Sequence, residues 1–194
     1  MAGSVILAGA RTPIGKLSGS LAGFEATDLG ALAIRAALQR AGLTPEQVDY
    51  VFMGQVLLGG AGQMTARQAS TKAGIPMSVP STTVNKVCLS GLNAIHLADL
   101  YIQSGEADIV VAGGMESMSN APYLLPKARA GLRLGHGEIK DHLFLDGLED
   151  AYARDERGAA RLMGSFAEDT AAHYQFSRAA QDAFAITSLQ RAQS

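Results

Sequence analysis

The sequence has one cysteine among its 194 residues, no tryptophan, and no apolar run near the roughly 18 residues of a membrane span. A single cysteine excludes an intrachain disulfide and any zinc site built from several cysteines. Basic and acidic residues nearly balance, at 16 against 18, so no excess of positive charge is available for a nucleic-acid backbone. The apolar stretch of residues 5–10 is too short for the core of a signal peptide. We therefore expect a cytoplasmic protein with no nucleic-acid partner and no membrane attachment.

What the sequence does have is a high apolar content, 47%, with only 18% charged residues and 22 glycines. This composition is typical of an ordered core with many tight turns and excludes a disordered chain. Apolar runs predict strands at residues 5–8, 50–53, 81–87 and 108–112. Helical spacing predicts a helix that is capped by Thr27 or Asp28 and runs to about Ala41. It predicts further helices over residues 64–73, 90–103, 163–173 and beyond Ser177. Strands that alternate with helices favour an α/β fold with parallel strands.

The helix predicted over residues 90–103 is apolar nearly all round, unlike the helices of a protein surface. We therefore expect it to be buried on most sides, which requires layers above and below it. A missing half or a partner subunit is implied, because a lone domain of this size hardly supplies both layers. The helical pattern that follows Ser177 also reaches Ser194 without a stop signal, so we expect a longer polypeptide.

Cys88 is the candidate nucleophile, since it lies between a predicted strand and the first turn of that apolar helix. The unpaired N–H groups and the dipole at a helix start favour negative charge, hence thiolate over thiol. The same N–H groups are suited to an oxyanion formed when a thiolate attacks a carbonyl. A free cysteine is also often a small buried hydrophobe, and position alone leaves both interpretations open.

Several segments of the sequence resemble the thiolases, which comprise acetyl-CoA C-acetyltransferases and their 3-ketoacyl-CoA relatives. The most specific are residues 85–91 (NKVCLSG) and 111–119 (VAGGMESMS). Others are residues 10–15 (ARTPIG), 62–68 (GQMTARQ), 146–148 (DGL), 177–178 (SR) and 181–185 (QDAFA). These signatures follow the family's order and cover the whole chain, but the family is about twice as long. The resemblance therefore identifies the chain as the N-terminal half of a thiolase.

The resemblance implies a layered α/β fold, with a βαβαβαβ N-terminal half around a central buried helix. It places the N-terminal domain at residues 1–117 and the start of a loop domain, which covers coenzyme A and joins subunits, at residues 118–194. The C-terminal catalytic domain is absent. Cys88 matches the nucleophile that takes up the acyl group, and its own N–H matches part of an oxyanion hole. Leu148 and Met163 match positions that line the channel for the pantetheine arm of coenzyme A.

The implied activity is acyl transfer between CoA thioesters, either acetoacetyl-CoA formation or 3-ketoacyl-CoA thiolysis. The activating histidine, an asparagine-bearing motif and a second cysteine belong to the family's C-terminal half, so we expect this fragment to be inactive alone. Acetyl-CoA or another acyl-CoA is the expected partner, with a homodimer or homotetramer as the assembly. The implied chemistry needs no cofactor. We also expect no metal, because the four histidines lack ligand spacing. A β-ketoacyl synthase-like condensing enzyme and a non-catalytic CoA-binding or assembly module remain alternatives.

Overall fold

A computed structural model describes residues 3–194 of the chain. The chain divides into two compact units, Met1–Gly147 and Leu148–Ser194, which are described separately below. The first unit is a parallel sheet with helices on its faces, so the predicted α/β class is confirmed. Among the described residues, every helix is too short or too polar to cross a lipid bilayer. The domain boundary expected after residue 117 stays a prediction.

The sheet of the first unit consists of β1 (Tyr50–Gly54), β2 (Ser81–Val84) and β3 (Val110–Gly114) in the order β2-β1-β3. Both neighbours run parallel to β1, so all three strands finish at one edge of the sheet. We call this the carboxyl edge; it is formed by Gly54, Val84 and Gly114. Ligand sites of open parallel sheets lie outside this edge, because the loops that follow the strands meet there.

Helices cover the two faces of β1 according to its alternating side chains. Val51 and Met53 pack into one cluster with residues of α1 (Ala26–Ala41) and α2 (Thr65–Lys72). Phe52 points to the opposite face and packs against Ala94 and Ala98 of α3 (Ser90–Ser104). Burial on both sides explains why the central strand is apolar at consecutive positions.

The start of α1 is fixed by polar contacts. Glu25 and Asp28 form a capping box in which the N–H of Glu25 donates to the carboxylate of Asp28 at 3.0 Å. The cap is thus Glu25, two or three residues before the predicted cap. Lys72, the last residue of α2, donates to Asp28 at 2.7 Å and to Thr27 at 2.8 Å. The hydrogen bond from Lys72 holds the pKa of Asp28 below its usual value. The helix ends as predicted at Gly42, which adopts a left-handed conformation with φ of 69°.

Only one side of α3 is buried within the described chain. Ala94 is fully buried against the sheet, whereas Leu92 on the far side is 63% exposed. Ile95 and Leu100 are also exposed. The physical reason is that the three-stranded sheet of the first unit packs against one side of this helix. Burial on most sides therefore stays a prediction that depends on a further layer.

The strand predicted at residues 5–8 is wrong, because these described residues form no strand in this structure. Val5 and Ile6 are 75% and 84% exposed. Contacts are made at the two ends of the segment, where Ser4 donates to Asp99 at 2.7 Å and Arg40 donates to the carbonyl of Gly9 at 2.7 Å. An apolar run becomes a strand only where a neighbouring strand completes its hydrogen bonds.

Two other strands differ from their predicted limits. β2 ends at Val84 rather than at Val87, because Val87 has a positive φ that leaves the extended conformation. β3 covers residues 110–114 rather than 108–112. The chain then forms β4 (Tyr123–Leu124), β5 (Lys140–Asp141) and a π-helical turn over Leu143–Leu148. The irregular chain expected after Met118 is largely confirmed, with β4 and β5 as a short antiparallel pair.

The second unit contains an antiparallel hairpin and two helices. The hairpin is β6 (Glu149–Arg154) and β7 (Ala160–Leu162), and the helices are α4 (Met163–His173) and α5 (Arg178–Gln193). The bounds of α4 match the prediction. Ser177 caps α5 as expected, since its hydroxyl accepts a hydrogen bond from the N–H of Ala180 at 3.2 Å.

Replacement of Gly54 by alanine is expected to destabilise the first unit strongly. A Cβ at this position would lie 2.6 Å from the carbonyl carbon of Ser90 and 2.7 Å from the nitrogen of Gly91, which are backbone atoms. We expect a loss of about 3 kcal/mol in the free energy of unfolding, measured by chemical denaturation. Gly23→Ala is the control, since a Cβ at Gly23 meets no atom within 4 Å. Equal stability of the two variants would contradict the close contact between β1 and α3.

Candidate active site

Cys88 lies at the carboxyl edge of the sheet, in the turn between β2 and α3, with its side chain exposed. The turn is closed by two backbone hydrogen bonds, from Leu89 to Lys86 at 3.1 Å and from Ser90 to Val87 at 3.0 Å. α3 begins two residues after Cys88, and its N-cap residue, Leu89, provides no capping side chain. The first N–H groups of the helix are therefore not occupied by a side chain of the cap, and they favour negative charge at this position.

Val87, directly before Cys88, has an unusual backbone conformation with φ of 49°. The side chains of Asn85 and Ser90 hydrogen-bond to the backbone on either side of it. Ser90 is 4% exposed. The roles of Asn85 and Ser90 in this turn are not predictable from the sequence, because a positive φ at a valine has no signal there.

Glu116 connects two loops at the same edge. It follows β3, and its carboxylate accepts hydrogen bonds from the N–H groups of Val56 at 2.8 Å and Leu57 at 3.2 Å, just after β1. Burial raises the pKa of Glu116 above its usual value, although the two N–H donors act in the opposite direction. In the sequence, Glu116 is only part of a family signature. Its contact has no local signal, because Val56 and Leu57 lie 60 and 59 positions before it in the chain.

His142 is buried, although the sequence places it in an irregular segment and gives it no ligand spacing. Its Nε2 accepts a hydrogen bond from the N–H of Gly59 at 3.1 Å, so a neutral ring carries its proton on Nδ1. Nδ1 lies 2.7 Å from a carboxylate oxygen of Asp146, although this pair is not aligned as a hydrogen bond. Within the described residues, no three His, Cys, Asp or Glu side chains are grouped to hold a metal ion.

A cavity of about 210 Å³ lies beside the loop that His142 holds. Its lining includes Gly59, the start of α1 at Ala26, and Gln55. Gln55 is 2% exposed, and its amide nitrogen donates to the carbonyl of Leu57 at 3.1 Å. Its side-chain oxygen is paired with no protein atom in the described chain. The cavity has room for a few water molecules.

Leu148 and Met163, the two candidate substrate-binding residues, belong to the second unit. They flank the paired residues Glu149 and Leu162 at the same end of the hairpin, so the structure brings them together. Leu148 is half-buried and Met163 is exposed. Cys88 belongs to the first unit, and its relation to this hairpin stays a prediction.

Comparison with known proteins decides the family. A family model described as "Thiolase, N-terminal domain" matches residues 4–194. The chain belongs to the thiolase family. The resemblance found in the sequence is thereby confirmed, and the structure agrees with a thiolase N-terminal domain.

Three relatives illustrate how much of a thiolase the chain covers. It is 53% identical over 188 residues to a probable acetyl-CoA acetyltransferase of Mycolicibacterium smegmatis, covering 97% of this chain and 47% of the relative. It is 51% identical over 189 residues to an acetyl-CoA acetyltransferase of Cupriavidus necator, with the same coverage. It is 50% identical over 188 residues to that of Pseudomonas aeruginosa, covering 97% of this chain and 46% of the relative. The chain thus spans about half the length of these curated thiolases and matches their N-terminal half.

Replacement of Glu116 by glutamine is expected to weaken the carboxyl edge. The variant has nearly the same size, but its NH2 group would face an N–H group of Val56 or Leu57. We expect a loss of about 1–3 kcal/mol in the free energy of unfolding at neutral pH, measured by urea denaturation. Glu106→Gln, at an exposed position, controls for the removal of one negative charge.

The pH dependence of this loss follows from the raised pKa of Glu116. A carboxyl with a raised pKa in the folded state binds its proton more tightly there than in the unfolded chain. The stabilisation from this tighter proton binding is complete below the pKa of the unfolded chain. It is lost as the pH rises through the pKa of the folded protein. The advantage of the wild type over Glu116→Gln should therefore grow as the pH falls from neutral to about 5. A constant difference over this range would contradict the effect of burial.

Proposed function

We propose that the protein carrying this chain transfers acyl groups between CoA thioesters, with Cys88 as the nucleophile. The observation that carries the proposal is the position of Cys88, exposed and two residues before the uncapped start of α3. Membership of the thiolase family and the acetyl-CoA acetyltransferase names of the relatives support it. These names also favour acetyl-CoA as the substrate.

In the first proposed step, the Cys88 thiolate attacks the carbonyl carbon of an acyl-CoA. A bond forms between that carbon and the cysteine sulfur, the carbon–sulfur bond to coenzyme A breaks, and coenzyme A leaves as a thiolate that takes up a proton. The N–H of Cys88 and the dipole of α3, which begins two residues later, are suited to stabilise negative charge on the carbonyl oxygen during the attack. The barrier falls because the acyl group first moves to Cys88 in a thioester exchange, so that the carbon–carbon bond is made or broken in a separate step.

In the second proposed step, the acyl group leaves Cys88. In the synthetic direction, the deprotonated methyl carbon of acetyl-CoA attacks the acyl-cysteine, a carbon–carbon bond forms, and the sulfur of Cys88 departs as thiolate. In the degradative direction, the sulfur of Cys88 attacks the 3-keto carbon of the 3-ketoacyl-CoA, the bond between carbons 2 and 3 breaks, and acetyl-CoA leaves as an enolate that takes up a proton. The acyl group on Cys88 then passes to the thiolate of free coenzyme A, and the sulfur of Cys88 departs as thiolate. The resemblance assigns the proton-transferring histidine and second cysteine to the other half of the family's length, so we expect residues 1–194 to be inactive alone.

We assign the coenzyme A contacts to the second unit. Leu148 and Met163 provide apolar side chains at one end of the hairpin, which suits the largely apolar pantetheine arm. They fall within residues 118–194, which we propose as the start of a loop domain that covers coenzyme A. A homodimer or homotetramer is the assembly we propose, as the resemblance implies.

Acetylation of Cys88 tests the proposed nucleophile directly. The native protein that carries this chain should gain one acetyl group on Cys88 when incubated with acetyl-CoA, located by mass spectrometry of its peptides. Cys88→Ser should lose this adduct and at least about 99.9% of acyl-transfer activity, because a hydroxyl is a far weaker nucleophile than a thiolate. Binding of acetyl-CoA, measured by calorimetry, should persist in the variant.

Two outcomes would contradict the proposal. An acetyl group found on another residue would assign the nucleophile elsewhere. Binding of acetyl-CoA without any acetylated Cys88 would favour a CoA-binding module that performs no transfer. Decarboxylation of a malonyl thioester by the native protein would favour a condensing enzyme of the ketoacyl synthase kind.

Replacement of Met163 by lysine tests the coenzyme A contact. A charged ammonium in an apolar channel should raise the KM for acetyl-CoA about tenfold and leave kcat little changed, because the pantetheine arm takes no part in the bonds that form and break. Met77→Lys is the matched control, because Met77 is exposed in the first unit. Equal KM values for the two variants would remove Met163 from the binding site.

A further inference from the structure

We propose that Ser90 and Asn85 are positioning residues, which hold Val87 in its left-handed conformation and thereby place Cys88 at the start of α3. This inference rests on the proposed function, because it concerns the same nucleophile. It assigns two polar side chains on either side of Cys88 to a role that does not require contact with the substrate.

Val87 is the starting point. Its φ of 49° lies in the left-handed region, which is unfavourable for a residue with a branched Cβ. Such a conformation persists only where surrounding contacts determine it, and these cases concentrate at functional sites. Because Val87 directly precedes Cys88, the orientation of the peptide bond between them depends on the conformation of Val87.

Both peptide groups of Val87 are held by side chains. Asn85 accepts a hydrogen bond from the N–H of Val87 through Oδ1 at 3.0 Å. The hydroxyl of Ser90 donates to the carbonyl of Val87 at 2.6 Å and accepts from the N–H of Lys86 at 2.8 Å. The three bonds span the turn from Lys86 to Ser90, and Cys88 is the residue in the middle of it. The bond from Lys86 to Ser90 crosses the N–Cα bond of Val87, so relaxation of Val87 to a negative φ would break it.

The two holding residues are themselves anchored to the central strand. The amide nitrogen of Asn85 donates to the carbonyl of Val56, two residues beyond β1, at 3.3 Å. The backbone of Ser90 lies so close to Gly54, the last residue of β1, that a Cβ on the glycine would meet it at 2.6 Å. Ser90 is also nearly inaccessible, at 4% exposure. The turn is therefore fixed to the sheet through Asn85 on one side of Cys88 and Ser90 on the other.

A purely structural role is the alternative. A serine in the first turn of a helix can stabilise the fold and leave the nucleophile unaffected. The two roles differ in one respect: a positioning role acts through Val87, so a residue that adopts the left-handed conformation without strain should reduce the need for Ser90. Glycine is such a residue.

The experiment is a double-mutant cycle of Val87→Gly and Ser90→Ala in the native protein that carries this chain. The readouts are the rate of Cys88 alkylation by iodoacetamide across a range of pH, and kcat and KM for acetyl transfer. Ser90→Ala should slow alkylation and lower kcat by about tenfold to a hundredfold, with little change in KM. In the Val87→Gly background, the same substitution should cost at least about threefold less.

Ser104→Ala is the matched control. Ser104 ends the same helix, and its hydroxyl also donates to a backbone carbonyl, that of Tyr101, at 3.0 Å. This variant should leave alkylation and kcat unchanged. If Ser90→Ala fails to fold, the exposed Asn85 supplies a second pair of variants. Asn85→Ser keeps an oxygen that can accept from the N–H of Val87 and adds no charge, so it should retain more of the alkylation rate than Asn85→Ala.

Two results would overturn the inference. One is a Ser90→Ala protein that is less stable but has an unchanged alkylation rate and kcat per folded molecule. The other is an equal loss in the wild-type and Val87→Gly backgrounds, which would show that Ser90 does not act through position 87. The alkylation rate needs no acyl transfer, so failure of the proposed function would appear separately, as an absence of acetylated Cys88 in the wild type.

Discussion

The close contact between the end of β1 and the beginning of α3 is the constraint on which the rest of the first unit depends. No side chain fits between Gly54 and the backbone of Ser90 and Gly91, so the helix start lies directly against the central strand. This contact determines where the turn between β2 and α3 lies. It also places an exposed thiol beside the N–H groups of a helix that has no capping side chain.

The carboxyl edge combines contributions from all three strands. The segment after β1 receives the carboxylate of Glu116, which follows β3, and the amide of Asn85, which follows β2. These polar contacts occupy backbone groups that would otherwise be left without partners where the strands end. The loops at this edge are thus joined to one another through side chains. Such rigid surroundings give a nucleophile a defined position.

Local patterns in the sequence predicted much of this structure. The helices ended by Gly42 and Gly105, the strand at residues 50–53 and the position of Cys88 all follow from neighbouring residues. The segment of residues 5–8 has the same kind of apolar pattern, yet it is not a strand, because pairing depends on a neighbour that a local pattern does not contain. The contacts of Glu116 and His142 were missed for the same reason, since their partners lie far away in the sequence.

The exposed Cys88 has a consequence for handling the protein. Residues 1–194 contain one sulfhydryl group, so these residues can form a disulfide only with a group outside them, such as Cys88 of a second copy. Air oxidation of these residues would therefore produce covalent dimers that are linked through the sulfur of Cys88, the proposed nucleophile. A reducing agent in the storage buffer would prevent this crosslink and preserve the reactive group.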